Sequence, residues 1–254
     1  MAGFDLTGRI AVVTGGNGGI GLGMAEGLAL AGAAVVVAAR NREKSKAAVA
    51  GLIAAGARSL FVPLDVADPE SCRDMVQQTL LRFGRVDILV NNAGMSVRKP
   101  PQDYAIAEWQ AVLDTNLTGA LVCCQAAYGA MRTQGGGKII NIGSMFSIFG
   151  AAYAAAYAAS KGALVQLTKS LAVAWAKDNI QVNAVLPGWI DTELTRDARR
   201  QVDGLNERIL RRTPAGRWGT PADLAGIAVF LAAPASDFVT GAAIPVDGGF
   251  AAEF

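Results

Sequence analysis

Short apolar, β-branched runs alternate along the chain with longer segments whose apolar residues recur at helical spacing. The first run covers residues 9–14 and breaks into the glycine-rich segment GGNGGIGLG before the helical pattern MAEGLALAG. Later runs predict further strands at residues 34–40, 59–66, 86–94, 137–144, 179–188 and 242–249. Helical segments lie between these runs, and such repeated strand–helix units predict an α/β fold with a mostly parallel sheet and helices on both faces.

The composition fits one globular domain over residues 1–254. Of the 254 residues, 52% are hydrophobic and 17% are charged, and no linker interrupts the series of strands and helices. The net charge of +2 is small and the basic residues are scattered, so we expect neither nucleic acid nor a membrane as a partner. The apolar run 28–39 is too short to cross a bilayer, and the N-terminus lacks an apolar signal segment. We therefore expect a cytoplasmic protein that binds a small molecule.

The absence of histidine narrows the possible chemistry. Histidine is the commonest general base and a frequent metal ligand, and the chain has none. Cys72, Cys123 and Cys124 lack the spacing of a zinc or redox site, so no metal site is expected and the three are interpreted as buried small hydrophobic residues. Acid–base chemistry must then use Tyr, Lys, Asp, Glu or Cys.

A tyrosine and a lysine lie four residues apart, at Tyr157 and Lys161, in a segment of small residues that predicts a helix. Residues four apart lie on the same side of a helix, so the two side chains are expected to be neighbours. An ammonium about 4 Å away stabilises a phenolate by roughly 4 kcal/mol at an effective dielectric near 20, enough to lower the tyrosine pKa by two to three units. The pair is a candidate acid–base unit; the alternative is a chance pair on a helix surface.

The glycine-rich segment after the first strand predicts a phosphate-binding turn. Backbone N–H groups at a helix start approach a phosphate closely where side chains are missing, and the helix dipole favours the negative charge. Two alignments compete, because GNGGIG fits G-x-G-x-x-G while TGGNGGIG matches a longer pattern, and a merely tight turn is the third possibility. Asp65, residues 91–94, Ser144 and Pro187-Gly188 follow other strands and belong to the same edge of the sheet, where ligands of such folds bind.

Six features resemble, in their order and spacing, the motifs of the short-chain dehydrogenase/reductase family: TGGNGGIG (14–21), NNAG (91–94), Asn116, Ser144, YAASK (157–161) and Pro187-Gly188. The resemblance covers nearly the whole chain. It implies a single-domain, Rossmann-type, doubly wound fold and a nicotinamide cofactor. It also implies a catalytic set of Asn116, Ser144, Tyr157 and Lys161, in which Tyr157 moves the proton, Ser144 holds the substrate oxygen and Asn116 holds a water that relays protons to Lys161. Ser147 is the alternative to Ser144.

Cofactor contacts are implied by the same resemblance. They comprise the turn residues Gly15, Asn17, Gly18, Gly19, Ile20 and Gly21, then Arg40, Asp65, Val66, Asn92, Ala93 and Gly94, and finally Tyr157, Lys161, Pro187, Gly188, Ile190 and Thr192. A charged stretch at about 190–215 is interpreted as a helical lid, with an ordinary surface helix pair as the alternative. The candidate wall of a fairly apolar substrate pocket consists of Met95, Met145, Phe146, Phe149, Tyr153 and Trp189.

The end of the second strand favours NADP over NAD. Dinucleotide folds that bind NAD usually carry an acid there to hold the ribose hydroxyls, but this chain has Ala39-Arg40 and no acid before Glu43. An arginine binds a 2′-phosphate bidentately, whereas a carboxylate repels it. The alternative is a solvated charge run that begins a helix capped by Asn41, which leaves NAD possible.

These observations predict an NADP(H)-dependent oxidoreductase that interconverts a ketone and a secondary alcohol. A 3-oxoacyl-carrier-protein reductase and a sugar or sugar-acid dehydrogenase are alternative enzymes, and a non-catalytic nucleotide-sensing module is the alternative from another class. Lys177 is followed by Asp178 where a basic surface would suit an acidic carrier, which favours a free substrate. The small residues around Tyr157 permit close packing between helices, and family resemblance extends this to a homotetramer.

Overall fold

Seven parallel strands form one sheet in the computed structural model, which describes residues 2–253. In chain order they are β1 Ile10–Thr14, β2 Ala34–Ala39, β3 Ser59–Pro63, β4 Ile88–Asn91, β5 Gly137–Ile142, β6 Ile180–Pro187 and β7 Ala243–Val246. They pair in the order β3-β2-β1-β4-β5-β6-β7, and every neighbouring pair is parallel. The predicted Rossmann-type, doubly wound sheet is confirmed, and each predicted strand is present with ends shortened by a few residues.

Helices cover both faces of this sheet. They are α1 Gly19–Leu30, α2 Arg42–Ala54, α3 Pro69–Phe83, α4 Ile106–Leu113, α5 Gly119–Thr133, α6 Ala155–Trp175, α7 Glu193–Gln201, α8 Leu205–Arg212 and α9 Ala225–Ala232. Val12 and Leu89 pack with α3 and α5 on one face, whereas Ala11 and Val13 pack with α1 and α9 on the other. Because both faces are buried, the central strands are continuous apolar runs without polar alternation.

The strand order reverses between β1 and β4. From β1 the chain moves outward through β2 and β3, then returns to place β4 on the other side of β1. The connections after β1 and β4 therefore leave the sheet in opposite directions and open a crevice at their carboxyl ends, the usual ligand site of this architecture. The glycine turn follows β1 and residues 92–94 follow β4, so both lie at this crevice.

Two local features of the helices bear on the site. Asn41 caps α2 as expected, since its side chain accepts a hydrogen bond from Lys44 N at 3.0 Å. Between α4 and α5 the helix widens into a π-helical turn at Asp114–Thr118, a deviation often found at functional sites. Within residues 2–253, no helix has both the length and the apolar character required to cross a bilayer.

Candidate active site

The glycine turn forms a cradle that side chains would fill. Gly15 and Gly19 have φ angles of +64° and +52°, in the left-handed region that favours glycine. A Cβ placed on Gly21 would lie 2.5 Å from the Gly15 carbonyl oxygen and 2.4 Å from Asn92 Nδ2. The glycines at the start of α1 therefore add no side chains of their own over its first N–H groups. These residues fit the pyrophosphate of a dinucleotide.

The segment after β4 is tied to this turn by hydrogen bonds. The Thr14 hydroxyl accepts from the backbone N–H groups of Asn92 and Ala93, each at 3.0 Å. Asn92 Nδ2 donates to the carbonyls of Thr14 at 3.0 Å and Gly15 at 3.2 Å. Gly94 follows, and a Cβ there would lie 3.2 Å from Asn116 Oδ1. The Asn92-Ala93-Gly94 segment is thus held against the cradle on one side and against Asn116 on the other.

The adenosine side of the crevice is more exposed. Asn17 Nδ2 donates to Ser45 Oγ at 3.0 Å and to the Asn41 carbonyl at 3.4 Å, which ties the turn to the start of α2. Arg40 follows β2 with an exposed side chain. Asp65 and Val66 follow β3, and Asp65 Oδ1 accepts from Ala67 N at 3.0 Å. The expected cofactor contacts at this end therefore surround the carboxyl ends of β1, β2 and β3.

Ser144, Tyr157 and Lys161 line one cleft beyond β5. Tyr157 and Lys161 are one turn apart in α6, and Lys161 Nζ lies 5.7 Å from the centre of the Tyr157 ring. The ammonium donates to the Ile142 carbonyl at 2.6 Å, and the residue Lys161 is 3% exposed. Ser144 caps a short turn, where its hydroxyl accepts from Phe146 N at 3.1 Å. The alternative, Ser147, instead donates its hydroxyl to the Lys161 carbonyl at 2.8 Å.

Burial dominates the electrostatics of the tyrosine–lysine pair. It raises the pKa of Tyr157 above the usual value of 10.0, while the Ser144 hydroxyl and the Arg98 cation act in the opposite direction. Burial also lowers the pKa of Lys161 from 10.5 to about 8. The net direction for Tyr157 is opposite to that expected from a neighbouring ammonium alone. The physical reason is that desolvation of the phenolate outweighs the effects of the nearby hydroxyl and cation.

Asn116 lies in the π-helical turn and is 1% exposed. Its Oδ1 accepts from Met95 N at 2.8 Å, and its Nδ2 donates to the Met95 carbonyl at 2.9 Å and to Ser160 Oγ at 3.0 Å. Both amide hydrogens are used, so a water on this side chain would have only the second lone pair of Oδ1. In this position Asn116 joins the segment after β4 to α6, next to Lys161.

The far side of the cleft is formed by the segment after β6. Pro187 ends that strand, and a Cβ on Gly188 would lie 2.6 Å from Asp247 Cα, so the chain passes close to the C-terminal segment. Ile190 is 3% exposed, and Thr192 caps α7 by accepting from Thr195 N at 3.4 Å. A Cβ on Gly19 would lie 3.2 Å from Thr192 Cγ2. The start of the predicted lid, which consists of α7 and α8, therefore rests on the glycine turn.

Four of the six predicted wall residues line the cleft: Met145, Phe146, Tyr153 and Trp189. Phe146 is central, with edge-to-face contacts to the rings of Tyr157 at 6.1 Å and Trp189 at 5.8 Å. The other two lie elsewhere. Met95 offers its backbone to Asn116, and Phe149 packs on Phe250 at 6.1 Å in a groove outside the cleft.

Polar residues that the sequence had not indicated also line this cleft, namely Ser96, Arg98 and Thr195. The cleft is open to solvent, and its cavity volume is about 140 Å³. Arg98 comes four residues after Gly94, on the segment that follows β4. A basic residue so soon after a strand that ends at the ligand edge is the signal that could have revealed it. The lining of the cleft is thus mostly apolar, and these three residues add polar groups to it.

Comparison with known proteins gives consistent matches over the whole chain. A family model described as enoyl-(acyl carrier protein) reductase matches residues 15–251. A 2-dehydro-3-deoxy-D-gluconate 5-dehydrogenase of Dickeya dadantii is 43% identical over 250 residues, 98% of each chain. A gluconate 5-dehydrogenase of Gluconobacter oxydans is 39% identical, over 97% of this chain and 96% of that one. The solved structure of a gluconate 5-dehydrogenase from Burkholderia cenocepacia, in complex with NADP and tartrate, has a TM-score of 0.95 at 41% identity, over 100% of this chain and 99% of that one.

The matches cover nearly the full length of this chain and of each relative, and the Burkholderia cenocepacia structure has the same fold. The matches extend across the glycine turn, the segment after β4 and the Tyr157–Lys161 pair, with no large part of the chain left over. The chain therefore belongs to the short-chain dehydrogenase/reductase family and is an NAD(P)-dependent oxidoreductase that acts on CH–OH groups.

Proposed function

We propose that this enzyme is an NADP(H)-dependent sugar-acid dehydrogenase, which interconverts a secondary alcohol and a ketone on a polyhydroxy carboxylate. The observation that carries the substrate class is Arg98, a cation in the same cleft as Ser144 and Tyr157. Its guanidinium donates to the Leu194 carbonyl at 2.8 Å and to Gln201 Oε1 at 3.3 Å. Both of these partners are neutral, and Arg98 forms no ion pair with any residue in the range 2–253. A substrate carboxylate would therefore be its first anionic partner.

The relatives support this assignment. Those of Dickeya dadantii and Gluconobacter oxydans are named for gluconate or a deoxy derivative of it, and the Burkholderia cenocepacia structure holds tartrate, a hydroxy dicarboxylate. Such molecules combine a carboxylate with several hydroxyls, which suits a cleft lined by Arg98, Ser96 and Thr195 besides its aromatic wall. The cleft residue Trp189 also has an indole N–H group that is buried without a hydrogen-bond partner among the described residues. This donor is available to a substrate hydroxyl or a bound water.

The proton chemistry is assigned to the residues around Tyr157. In the oxidative direction its phenolate accepts the hydroxyl proton of the substrate, and in the reductive direction its hydroxyl returns that proton to the carbonyl oxygen. Ser144 holds the substrate oxygen by a hydrogen bond from its hydroxyl. When bound, the nicotinamide ring supplies or accepts the hydride and, in its oxidised form, adds a positive charge. Lys161 stabilises the phenolate and binds the ribose, and Asn116 keeps the segment after β4 in register with α6.

NADP is the proposed cofactor because the end of β2 is followed directly by a cation and not by an acid. Arg40 is exposed directly after β2, and no carboxylate lies between the end of β2 and Glu43. The Burkholderia cenocepacia relative was solved with NADP. Apparent KM values for NADP and NAD measure this preference, and a lower KM for NAD would contradict the assignment.

Initial rates test the substrate class. We expect kcat/KM to be higher for D-gluconate or 2-dehydro-3-deoxy-D-gluconate than for neutral polyols, simple ketones or acetoacetyl thioesters. Arg98→Ala should raise KM for the sugar acid by roughly tenfold or more, as expected for loss of a charged hydrogen bond, and leave neutral polyols unaffected. Arg200→Ala is the matched control, since Arg200 is exposed on α7 and pairs with Asp197. Faster turnover of the thioester, or an equal effect of Arg98→Ala on neutral and acidic substrates, would refute the proposal.

We also infer a cytoplasmic homotetramer. Cys72, Cys123 and Cys124 are free thiols, which fits a reducing compartment. Val173 of α6 is 82% exposed although apolar, and Ile106 of α4 is 80% exposed, so these helices carry apolar surface suited to another subunit. Analytical ultracentrifugation determines the assembly, and a monomer at micromolar concentration would contradict it.

A further inference from the structure

Two segments far apart in the sequence meet over the glycine turn. Lys44, in the first turn of α2, pairs with Glu193, the first residue of α7, with Nζ and Oε2 at 2.6 Å. The same lysine covers Gly18, the residue that precedes α1. A Cβ placed on Gly18 would lie 2.9 Å from Lys44 Nζ and 2.8 Å from Cε. The ammonium thus lies directly against the start of α1, where the cradle fits a pyrophosphate.

This is an unfavourable place for an unneutralised cation. Helix dipoles make the first turns of α1 and α2 electropositive, and α1 has no acidic residue in its first turn. Glu193 supplies one negative charge from outside both helices. The pair is exposed, with side-chain exposures of 38% for Lys44 and 79% for Glu193, and exposed pairs contribute little net stability. A pyrophosphate would bring two charges to the same position and receive N–H groups of α1 as well.

We propose that Lys44 is a ligand of the cofactor pyrophosphate and that Glu193 is its counter-ion in the free enzyme. Cofactor binding then exchanges the Glu193 carboxylate for a phosphate oxygen as the partner of the ammonium. No bond other than hydrogen bonds changes in this exchange. The proposal rests on the dinucleotide site of the family and is independent of the sugar-acid substrate.

Direct binding tests the exchange without any substrate. Dissociation constants for NADP and NAD, measured by isothermal titration calorimetry, are compared for the native enzyme, Lys44→Ala, Glu193→Gln and the double variant. Lys44→Ala should weaken both cofactors about tenfold, as expected for loss of one charged hydrogen bond to a group that both share. Lys46→Ala is the matched control, because Lys46 is two residues further along α2 and its one ion pair within the described range 2–253 is with Glu43, at 3.2 Å. It should change neither constant by more than about twofold.

Glu193→Gln should change cofactor affinity in the opposite direction to Lys44→Ala. It removes the competing carboxylate and a charge that repels phosphate, so both cofactors should bind about two- to threefold more tightly. In the Lys44→Ala background the same change should have a smaller effect, because the competition between carboxylate and phosphate is already absent.

Unchanged binding in Lys44→Ala overturns the ligand assignment, and a loss confined to NADP overturns it in favour of the 2′-phosphate. Weaker or unchanged binding in Glu193→Gln overturns the exchange. Failure of the sugar-acid proposal would appear only in turnover, so the two can be told apart.

Discussion

The two ends of the cleft are built on opposite principles. The catalytic end, so named for the proposed roles of Ser144, Tyr157 and Lys161, depends on side-chain atoms, and its lysine is buried at 3% exposure. The phosphate end, formed by the glycine turn, depends on the lack of side chains, since a Cβ on Gly21 would overlap the Gly15 carbonyl. The comparison implies that removal of an atom should impair the catalytic end, whereas addition of an atom should impair the phosphate end. Each can be tested with a change of one heavy atom.

Removal of one oxygen should have the largest effect. Tyr157→Phe deletes the only group in the cleft proposed to carry the substrate proton, so we expect turnover to fall about 10³-fold. The phenylalanine ring keeps the edge-to-face contact with Phe146, and cofactor affinity and melting temperature should therefore stay near native values. Tyr128→Phe is the control, because that hydroxyl donates to Asp178 at 2.9 Å outside the cleft. Near-normal turnover in Tyr157→Phe would refute the assignment.

Addition of one carbon should damage the other end. In Gly21→Ala the new Cβ meets the Gly15 carbonyl at 2.5 Å and Asn92 Nδ2 at 2.4 Å, so the turn or the segment after β4 must shift. We expect a loss of about 1–3 kcal/mol in the free energy of unfolding, with weaker binding of the cofactor. Chemical denaturation and calorimetric titration measure the two effects.

Gly51→Ala provides the matched control for that substitution. Gly51 lies within α2, and a Cβ there meets no atom within 4 Å. Alanine is the better helix former, so this variant should be more stable by up to about 1 kcal/mol and should bind cofactor normally. Equal losses of stability and cofactor affinity in Gly21→Ala and Gly51→Ala would mean that the effect is not specific to the glycine turn. The contrast between the two ends of the cleft would then disappear.

The two ends also differ in how far the sequence predicts them. The i, i+4 spacing of Tyr157 and Lys161 is local, and a continuous helix places both residues as expected. The glycine turn likewise follows from its neighbours in the chain. In contrast, Lys44 and Glu193 are separated by 149 positions, and no spacing rule pairs them. Arg98 was missed for a related reason, because its position over the cleft depends on contacts with Leu194 and Gln201 of α7. The direction of the Tyr157 pKa was missed because burial is a property of the whole fold.

The last prediction concerns the stability cost of Lys161. This residue places a buried positive charge at the catalytic end, and burial makes that charge unfavourable. Burial lowers its pKa from 10.5 to about 8, which corresponds to roughly 3 kcal/mol of lost stability while the ammonium stays charged in both states. Lys161→Met removes this cost but leaves the Ile142 carbonyl without its donor, a loss of about 1 kcal/mol. Without cofactor, the variant should thus be more stable than the native enzyme by about 2 kcal/mol at pH 7.

The pH dependence of that difference follows from proton binding. Between about pH 8 and 10.5 the unfolded chain binds a proton at Lys161 that the folded chain has released, so the stability of the native enzyme rises with pH relative to the variant. The advantage of Lys161→Met should therefore shrink over this range, as denaturation at pH 7, 8, 9 and 10 would measure. Lys46→Met, an exposed lysine of α2, controls for removal of a charge. A constant advantage across the range would show that packing, and not the buried charge, is responsible. A shrinking advantage together with lost turnover would show that the catalytic end maintains its charge at the expense of stability.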